Sequence, residues 1–131
     1  MPLIVVDASA ILEVLLQTPA APRVSRFIFA ANESLHAPHL IDLEIAQVLR
    51  RYVRSAVISA ERGVEALVDL ADFPLTRYPH FVLLKRIWEM RHGLTAYDAA
   101  YLALAEALDA RLVTRDRALA KAGSQVRVEV I

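Results

Sequence analysis

The 131-residue chain contains no cysteine, which excludes disulfides, thiolate metal sites and a cysteine nucleophile. It also lacks any run of about 18 uninterrupted apolar residues, so no transmembrane span is expected. The N-terminus has neither the basic start nor the long apolar core of a signal peptide. The expected compartment is the cytoplasm, with no membrane partner. Net charge is missing as well: 15 Lys and Arg balance 15 Asp and Glu. Bulk charge therefore argues for no nucleic-acid partner, and any such contact must rest on local patches. Among the basic residues lysine is scarce, with two against thirteen arginines. Arginine suits bidentate phosphate contact and ordinary ion pairs alike. What the chain has in quantity is apolar side chain, 56% of residues with a mean hydropathy of +0.39. That excludes disorder, and the length suits one domain, residues 1–131, around one core.

Short apolar runs alternate with amphipathic stretches. Leu3–Val6, Leu35–Ala37, Leu75–Arg77, Arg111–Thr114 and Val126–Val130 read as strands, the first of them continuous enough to be buried on both faces. Helices are expected over Ala10–Leu16 capped by Ser9, Pro22–Ala31, Leu40–Arg54, a stretch opened by Ser59 through Val64, Leu67, Val68 and Ala71, His80–Arg91 closed by Gly93 in a left-handed cap, Thr95 to about Leu108, and Asp116 to Gly123. Strands alternating with helices imply an α/β fold, a parallel sheet covered by helices on both faces. Ligands in such folds bind beyond the carboxyl ends of the strands.

Asp7 stands at that place. In "VVDASAILEVL" the apolar strand stops at a carboxylate. Asp116 in "LVTRD" follows a second apolar strand, Asp98 lies three residues after the helix-opening Thr95, and Glu44 sits early in its helix at the margin of the stripe Ile41, Ile45, Val48. Each has a structural role open to it. Asp7 and Asp116 can cap helices, Asp98 with Thr95 makes a capping-box pattern, and Glu44 can join an ion pair. Taken together, four acids that meet at one end of one sheet without a basic mate repel one another, and a divalent cation resolves that repulsion. Oxygen ligands without thiolate select Mg²⁺, with Mn²⁺ as substitute. One or two such ions activate water and stabilise the leaving oxygen of a phosphodiester, so the expected reaction is metal-assisted phosphodiester hydrolysis.

The segments "IVVDASAILEVL", "APHLIDLEIAQVLRR" and "LTAYDAAYLALAEALDARLVTRD" resemble the motifs of PIN-domain ribonucleases, and most of all the VapC toxins of bacterial toxin–antitoxin pairs. The motifs are short, but their order, D-x-S, then E, then Y-D-A-x-Y, then T-x-D, is specific and spans nearly the whole chain. The resemblance implies a three-layer α/β/α sandwich with a mostly parallel five-stranded sheet. It implies that Asp7, Glu44, Asp98 and Asp116 form an acidic Mg²⁺ site supported by hydrogen bonds from Thr114 and Ser9. It implies an endoribonuclease acting on RNA, a homodimer, and a cognate VapB-type antitoxin that blocks the site.

Other residues carry weaker signals. Arg115 and Arg117 flank Asp116, and Arg86, Arg91 and His92 sit on or just after one helix; these are candidate RNA phosphate contacts, or solvated ion-paired residues. Tyr97 beside Asp98 can stack a base or pack in the core. The four histidines follow no ligand spacing, and Asp42 is an accessory acid only, because residues two apart do not share a helix face. Ile11, Val14, Leu15 and Leu16, with Phe27–Ala31, are available to a partner or to the core. A phosphoacceptor receiver domain would want an acidic pair after the first strand and a lysine after the last; an aspartyl-nucleophile phosphatase would want D-x-D. This chain has Asp7-Ala8-Ser9. The remaining alternative is a catalytically silent PIN-like module that binds RNA or protein.

Overall fold

The structure is a computed structural model that describes residues 2–30, 32–121 and 125–131. Five strands, β1 (Leu3–Val6), β2 (Ser34–Pro38), β3 (Leu75–Tyr78), β4 (Arg111–Thr114) and β5 (Val128–Val130), form one sheet in the order β3-β2-β1-β4-β5. Every pairing is parallel. The central strands are the most apolar: Ile4, Val5, Val6, Leu112 and Val113 are wholly buried, as a strand covered on both faces requires.

The connections carry helices α1 (Ala8–Leu15), α2 (Ala21–Ile28), α3 (Leu40–Arg54), α4 (Ala60–Ala71), α5 (Leu84–Glu89), α6 (Ala96–Leu108) and α7 (Arg117–Ala120). From β1 to β2 to β3 the chain steps one way across the sheet; from β3 to β4 to β5 it steps the other way. Right-handed crossovers then put α1–α4 over one face and α5–α7 over the other, which is the expected three-layer sandwich. The connections leaving β1 and β4 depart in opposite directions, and this opens a crevice between the carboxyl ends of those two neighbours. Helix α6 lies deepest. All seven residues from Ala99 to Ala105 are buried, so the helix is apolar all round in its middle, and its four alanines there let it lie close to the sheet.

Several local expectations change. Helix α1 begins earlier than expected: Asp7, not Ser9, is its N-cap, accepting from the Ala10 amide, and Ser9 is drawn into the helix as a partner of Asp7. The stretch after Pro79 splits into a 3-10 turn, His80–Leu83, followed by α5, because no side chain caps the first-turn amides. Gly93 is not left-handed. The positive φ values fall instead on Gln17, Asn32, Ala56 and Asp109, the last as the C-cap of α6. On α4 the inward residues are Gly63, Ala66 and Leu70, while Val64, Leu67 and Val68 are exposed. Ile11, Leu15 and Ile28 belong to the core rather than to a partner face. Helix α2 ends at Ile28 and α7 at Ala120; the expected endpoints Ala31 and Gly123 lie outside the described residues.

Ala56 holds φ 58° just after α3, a conformation that costs an L-residue about 1–2 kcal/mol and glycine none. Ala56→Gly is expected to gain about 1 kcal/mol after the larger chain entropy of glycine is subtracted, visible as a Tm rise of roughly 4 °C in thermal unfolding.

Candidate active site

The crevice between β1 and β4 is built around one carboxylate. Val6 ends β1, and the next residue caps α1, so the Asp7 side chain is held where strand passes into helix. Its Oδ1 accepts from the Ser9 hydroxyl at 2.6 Å and the Ala10 amide at 3.4 Å. Its Oδ2 accepts from the Thr114 hydroxyl, across the crevice, at 2.5 Å. The two hydroxyls are themselves oriented by the loop after β4: Ser9 accepts from the Arg115 amide at 2.9 Å and Thr114 from the Asp116 amide at 2.9 Å. The expected supporting roles of Ser9 and Thr114 thus have a geometric basis. Each hydroxyl turns its proton toward Asp7 because a backbone N–H occupies its lone pair.

Asp7 is only 7% exposed, and every donor to it is neutral. Burial therefore raises its carboxyl above the ordinary range, the hydrogen bonds from Ser9, Thr114 and Ala10 pull it back in part, and the Asp116 carboxylate raises it further. The other three acids surround it in order of increasing exposure. Glu44, half-buried on α3, accepts from the Tyr101 hydroxyl at 2.5 Å. Its carboxyl is raised by burial, lowered by Tyr101, and raised again by Asp7 and Asp98. Asp98, in the first turn of α6, is raised by burial and by Asp116 and lowered by Thr95; the Thr95 hydroxyl also caps the Asp98 amide at 3.1 Å. Asp116 is exposed and caps α7 through the Ala118 amide at 2.9 Å. The structural roles and the convergence coexist: three of the four acids sit at helix N-termini, and all four are electrostatically coupled.

None of these acids forms an ion pair with Lys or Arg among the described residues. The opposite edge of the sheet shows the contrast, where Arg111 holds Glu33 at 2.5 Å and Glu129 at 2.8 Å. The acids are not drawn into a closed cage either, since among the described residues no three His, Asp or Glu side chains already form a metal-holding group. Such an open, all-oxygen, uncompensated donor set suits Mg²⁺, which takes one or two carboxylates and keeps water or substrate oxygens for the rest of its octahedron. It does not suit the closed nitrogen and sulfur cages of structural zinc.

The other sequence candidates separate. Arg115 borders the acid site, but its guanidinium donates to the Ile131 carbonyl at 2.7 Å and faces Glu13 at 3.6 Å. Arg117 is exposed at the start of α7. Arg86 lies away from the acids: it pairs with Glu106 at 2.7 Å and lines a cavity with Pro2, Asp109 and Arg111 at the opposite edge of the sheet. Arg91 lies over the Trp88 ring, 4.6 Å from its centroid. Asp42 is engaged by Arg77 at 2.8 Å. Buried His36 bridges Ser34 and Tyr78, and His39 sits beside His80. Tyr101 carried no sequence signal beyond its place in Y-D-A-x-Y. A groove of about 940 Å³ runs from Ser9 and Glu44 along α3 to Arg50 and Arg51, two residues that pattern alone did not single out. The spacing Glu44, Gln47, Arg51 marks them in retrospect, because i, i+3 and i+7 share a helix face.

A carboxyl raised on folding stabilises the protein fully below its unfolded value, 3.8 for Asp7, and that contribution is lost as pH rises through the raised value. Without metal, the Tm of Asp7→Asn minus that of wild type is expected to grow as pH rises above 3.8. Mg²⁺ is expected to shrink the difference at the higher pH. A difference that falls with pH in EDTA contradicts the burial account.

Comparison with known proteins agrees with this geometry. Residues 4–124 match the PIN domain family. Ribonuclease VapC9 of Mycobacterium tuberculosis is 49% identical over 121 residues, 92% of this chain and 91% of its own length. Ribonuclease VapC1 of the same species is 44% identical over 119 residues, 90% and 89%. The crystal structure of PAE2754 from Pyrobaculum aerophilum superposes with a TM-score of 0.71 at 26% identity, covering 98% of this chain and 84% of that one. With the acids gathered where β1 and β4 diverge and identity of this extent along nearly its whole length, the chain belongs to the PIN domain family, among its VapC ribonucleases.

Proposed function

We propose that the protein is a metal-dependent endoribonuclease, the toxin of a toxin–antitoxin pair, acting as a homodimer and silenced by a VapB-type antitoxin. The ribonuclease reading is supported by relatives that are named ribonucleases over more than nine-tenths of the chain. The toxin, dimer and antitoxin parts rest on the resemblance to VapC toxins. The observation that carries the chemistry is Asp7: a carboxylate buried at the divergence of β1 and β4, held by three neutral donors and coupled to the carboxylates of Asp116 and Glu44, both of which are coupled in turn to Asp98. Desolvating an anion without a partner costs several kcal/mol, and a hard cation at this point offsets that cost.

Asp7, Glu44, Asp98 and Asp116 would hold Mg²⁺ or Mn²⁺, which supplies a lowered pKa for water and charge stabilisation at the scissile phosphate. The chain does the positioning. Ser9 and Thr114 fix both oxygens of Asp7, and Tyr101 fixes one oxygen of Glu44. The Ser9 hydroxyl spends its proton on Asp7 and is no free nucleophile; Tyr101 is raised far above the ordinary phenol range by burial and by Glu44, so it stays protonated and orients rather than attacks. Water is left as the nucleophile, and hydrolysis rather than a covalent enzyme intermediate is the expected course.

The test is cleavage of total cellular RNA by antitoxin-free protein with Mg²⁺, with EDTA, and with Asp7→Asn. Discrete fragments that need both metal and Asp7 are expected. No cleavage by folded protein in either Mg²⁺ or Mn²⁺ moves the weight to a silent binding module. Asp98→Asn discriminates ligand from cap. A ligand role predicts that cleavage drops at least a hundredfold, the upper range for a single general-acid, base or metal-orienting group, with little change in metal-free Tm. A capping role predicts that Asn serves nearly as well in both assays.

A further inference from the structure

Two histidines that no catalytic step uses meet on the same rim of the sheet as the acids. β2 ends at Pro38 and β3 at Tyr78, residues paired in register, and both exits run through Pro-His, as Pro38-His39 and as Pro79-His80. The His39 amide donates to the Tyr78 carbonyl at 2.7 Å and ties the two exits together. The imidazole rings then meet edge to face, with centroids 6.5 Å apart and planes at 84°. Both residues are exposed. His39 is the N-cap of α3 and His80 opens the 3-10 turn, and neither element has a side-chain cap hydrogen bond. Among the described residues none of the four ring nitrogens has a hydrogen-bond or carboxylate partner. Buried His36 differs, because Ser34 and Tyr78 occupy both of its nitrogens. Asp42, three residues along α3 from His39, is held by Arg77, so the charge of that guanidinium is already balanced.

We propose that His39 and His80 form a two-imidazole site for a borderline transition-metal ion, Zn²⁺ being the type case, with water completing its shell. Neutral imidazole nitrogen suits Zn²⁺, Ni²⁺ and Cu²⁺, whereas Mg²⁺ takes oxygen. The pair and the acids thus select different ions, and neither site depends on the chemistry of the other. With Zn–N bonds of about 2.0–2.1 Å, two rings on one tetrahedral ion have centres roughly 5–6 Å apart. Small rotations of two exposed side chains, on a backbone already tied at Tyr78, bring one nitrogen of each to the ion. Perpendicular planes are no obstacle, because each ring needs only its own metal–nitrogen bond in plane. Two protein ligands leave the remaining positions to water, so the ion exchanges with solvent instead of being locked in a closed structural cage. The bound ion acts as a clamp. It joins the start of α3, the helix that carries Glu44, to the exit of β3. The two rings come together only in the folded chain, and an ion that binds only that state stabilises it.

The test titrates tag-free, metal-stripped protein with ZnCl₂ at neutral pH, in excess Mg²⁺ to occupy the acids. One Zn²⁺ per chain is expected. In NMR spectra the carbon-bound imidazole protons of His39 and His80 are expected to move together, while those of His36 and His92 stay in place. Zn²⁺ at roughly ten times its Kd is expected to raise the Tm by about 5 °C. His39→Gln and His80→Gln are each expected to abolish that rise and to weaken binding by at least about tenfold, because the second ligand binds as an intramolecular event. His92→Gln is expected to change neither. Binding that survives both substitutions overturns the pair; if Asp7→Asn then removes it, the ion belongs to the acids. Loss with only one of the two histidines shows a single-ring contact and overturns the bridge. So does the absence of any imidazole shift in the folded protein at millimolar Zn²⁺.

Discussion

The hydrogen bond from Thr114 to Asp7 ties together more of this molecule than any other single contact. It joins the last residue of β4 to the first residue beyond β1, the two strands whose connections diverge. Asp7 caps α1, so the bond also fixes where that helix begins. Thr114 accepts from the Asp116 amide, so it sets the turn that presents Asp116. A buried carboxylate tolerates its position only while these neutral donors are in place, and the site geometry and the packing of the central strands therefore depend on the same few atoms.

Around that point the charge of the protein is divided unevenly. At the amino edge of the sheet Arg111 neutralises Glu33 and Glu129 and also lies 5.4 Å from the centre of the Phe27 ring. At the carboxyl edge the four acids have no such mate. A chain with zero formal net charge can thus keep a local negative field, because none of its ion-paired arginines is committed to these four acids.

Three of the four acids stood out in the sequence because each interrupts or follows an apolar pattern, whereas Asp98 fits the capping pattern opened by Thr95. Asp7 and Asp116 stop apolar strands, and Glu44 intrudes on an apolar stripe. The parallel sheet was legible for the same reason, since Leu3–Val6 and Arg111–Thr114 leave no alternation for a solvated face. What stayed hidden depends on how helices meet. The hydroxyl of Tyr101 reaches Glu44 across 57 residues, and no spacing records that. The outward turn of Val64, Leu67 and Val68 follows from Gly63, Ala66 and Leu70 packing inward instead. At Gly63 an added Cβ would stand 3.1 Å from Val53, so a small residue there permits the close approach of α4 to α3. Arg86, with Arg91 and His92 on or just after one helix, was a candidate phosphate contact; the fold places it away from the acids, where Glu106 takes it.

The bond between Thr114 and Asp7 spans 107 residues of chain. During synthesis the amino-terminal half emerges first, with Asp7 and Glu44 already made and Asp98, Thr114 and Asp116 still to come. A nascent fragment holds some of the acids but lacks the strand that orients the first of them. The acid site therefore takes the form described here only when β4 docks beside β1, after Asp98, Thr114 and Asp116 have joined the earlier acids.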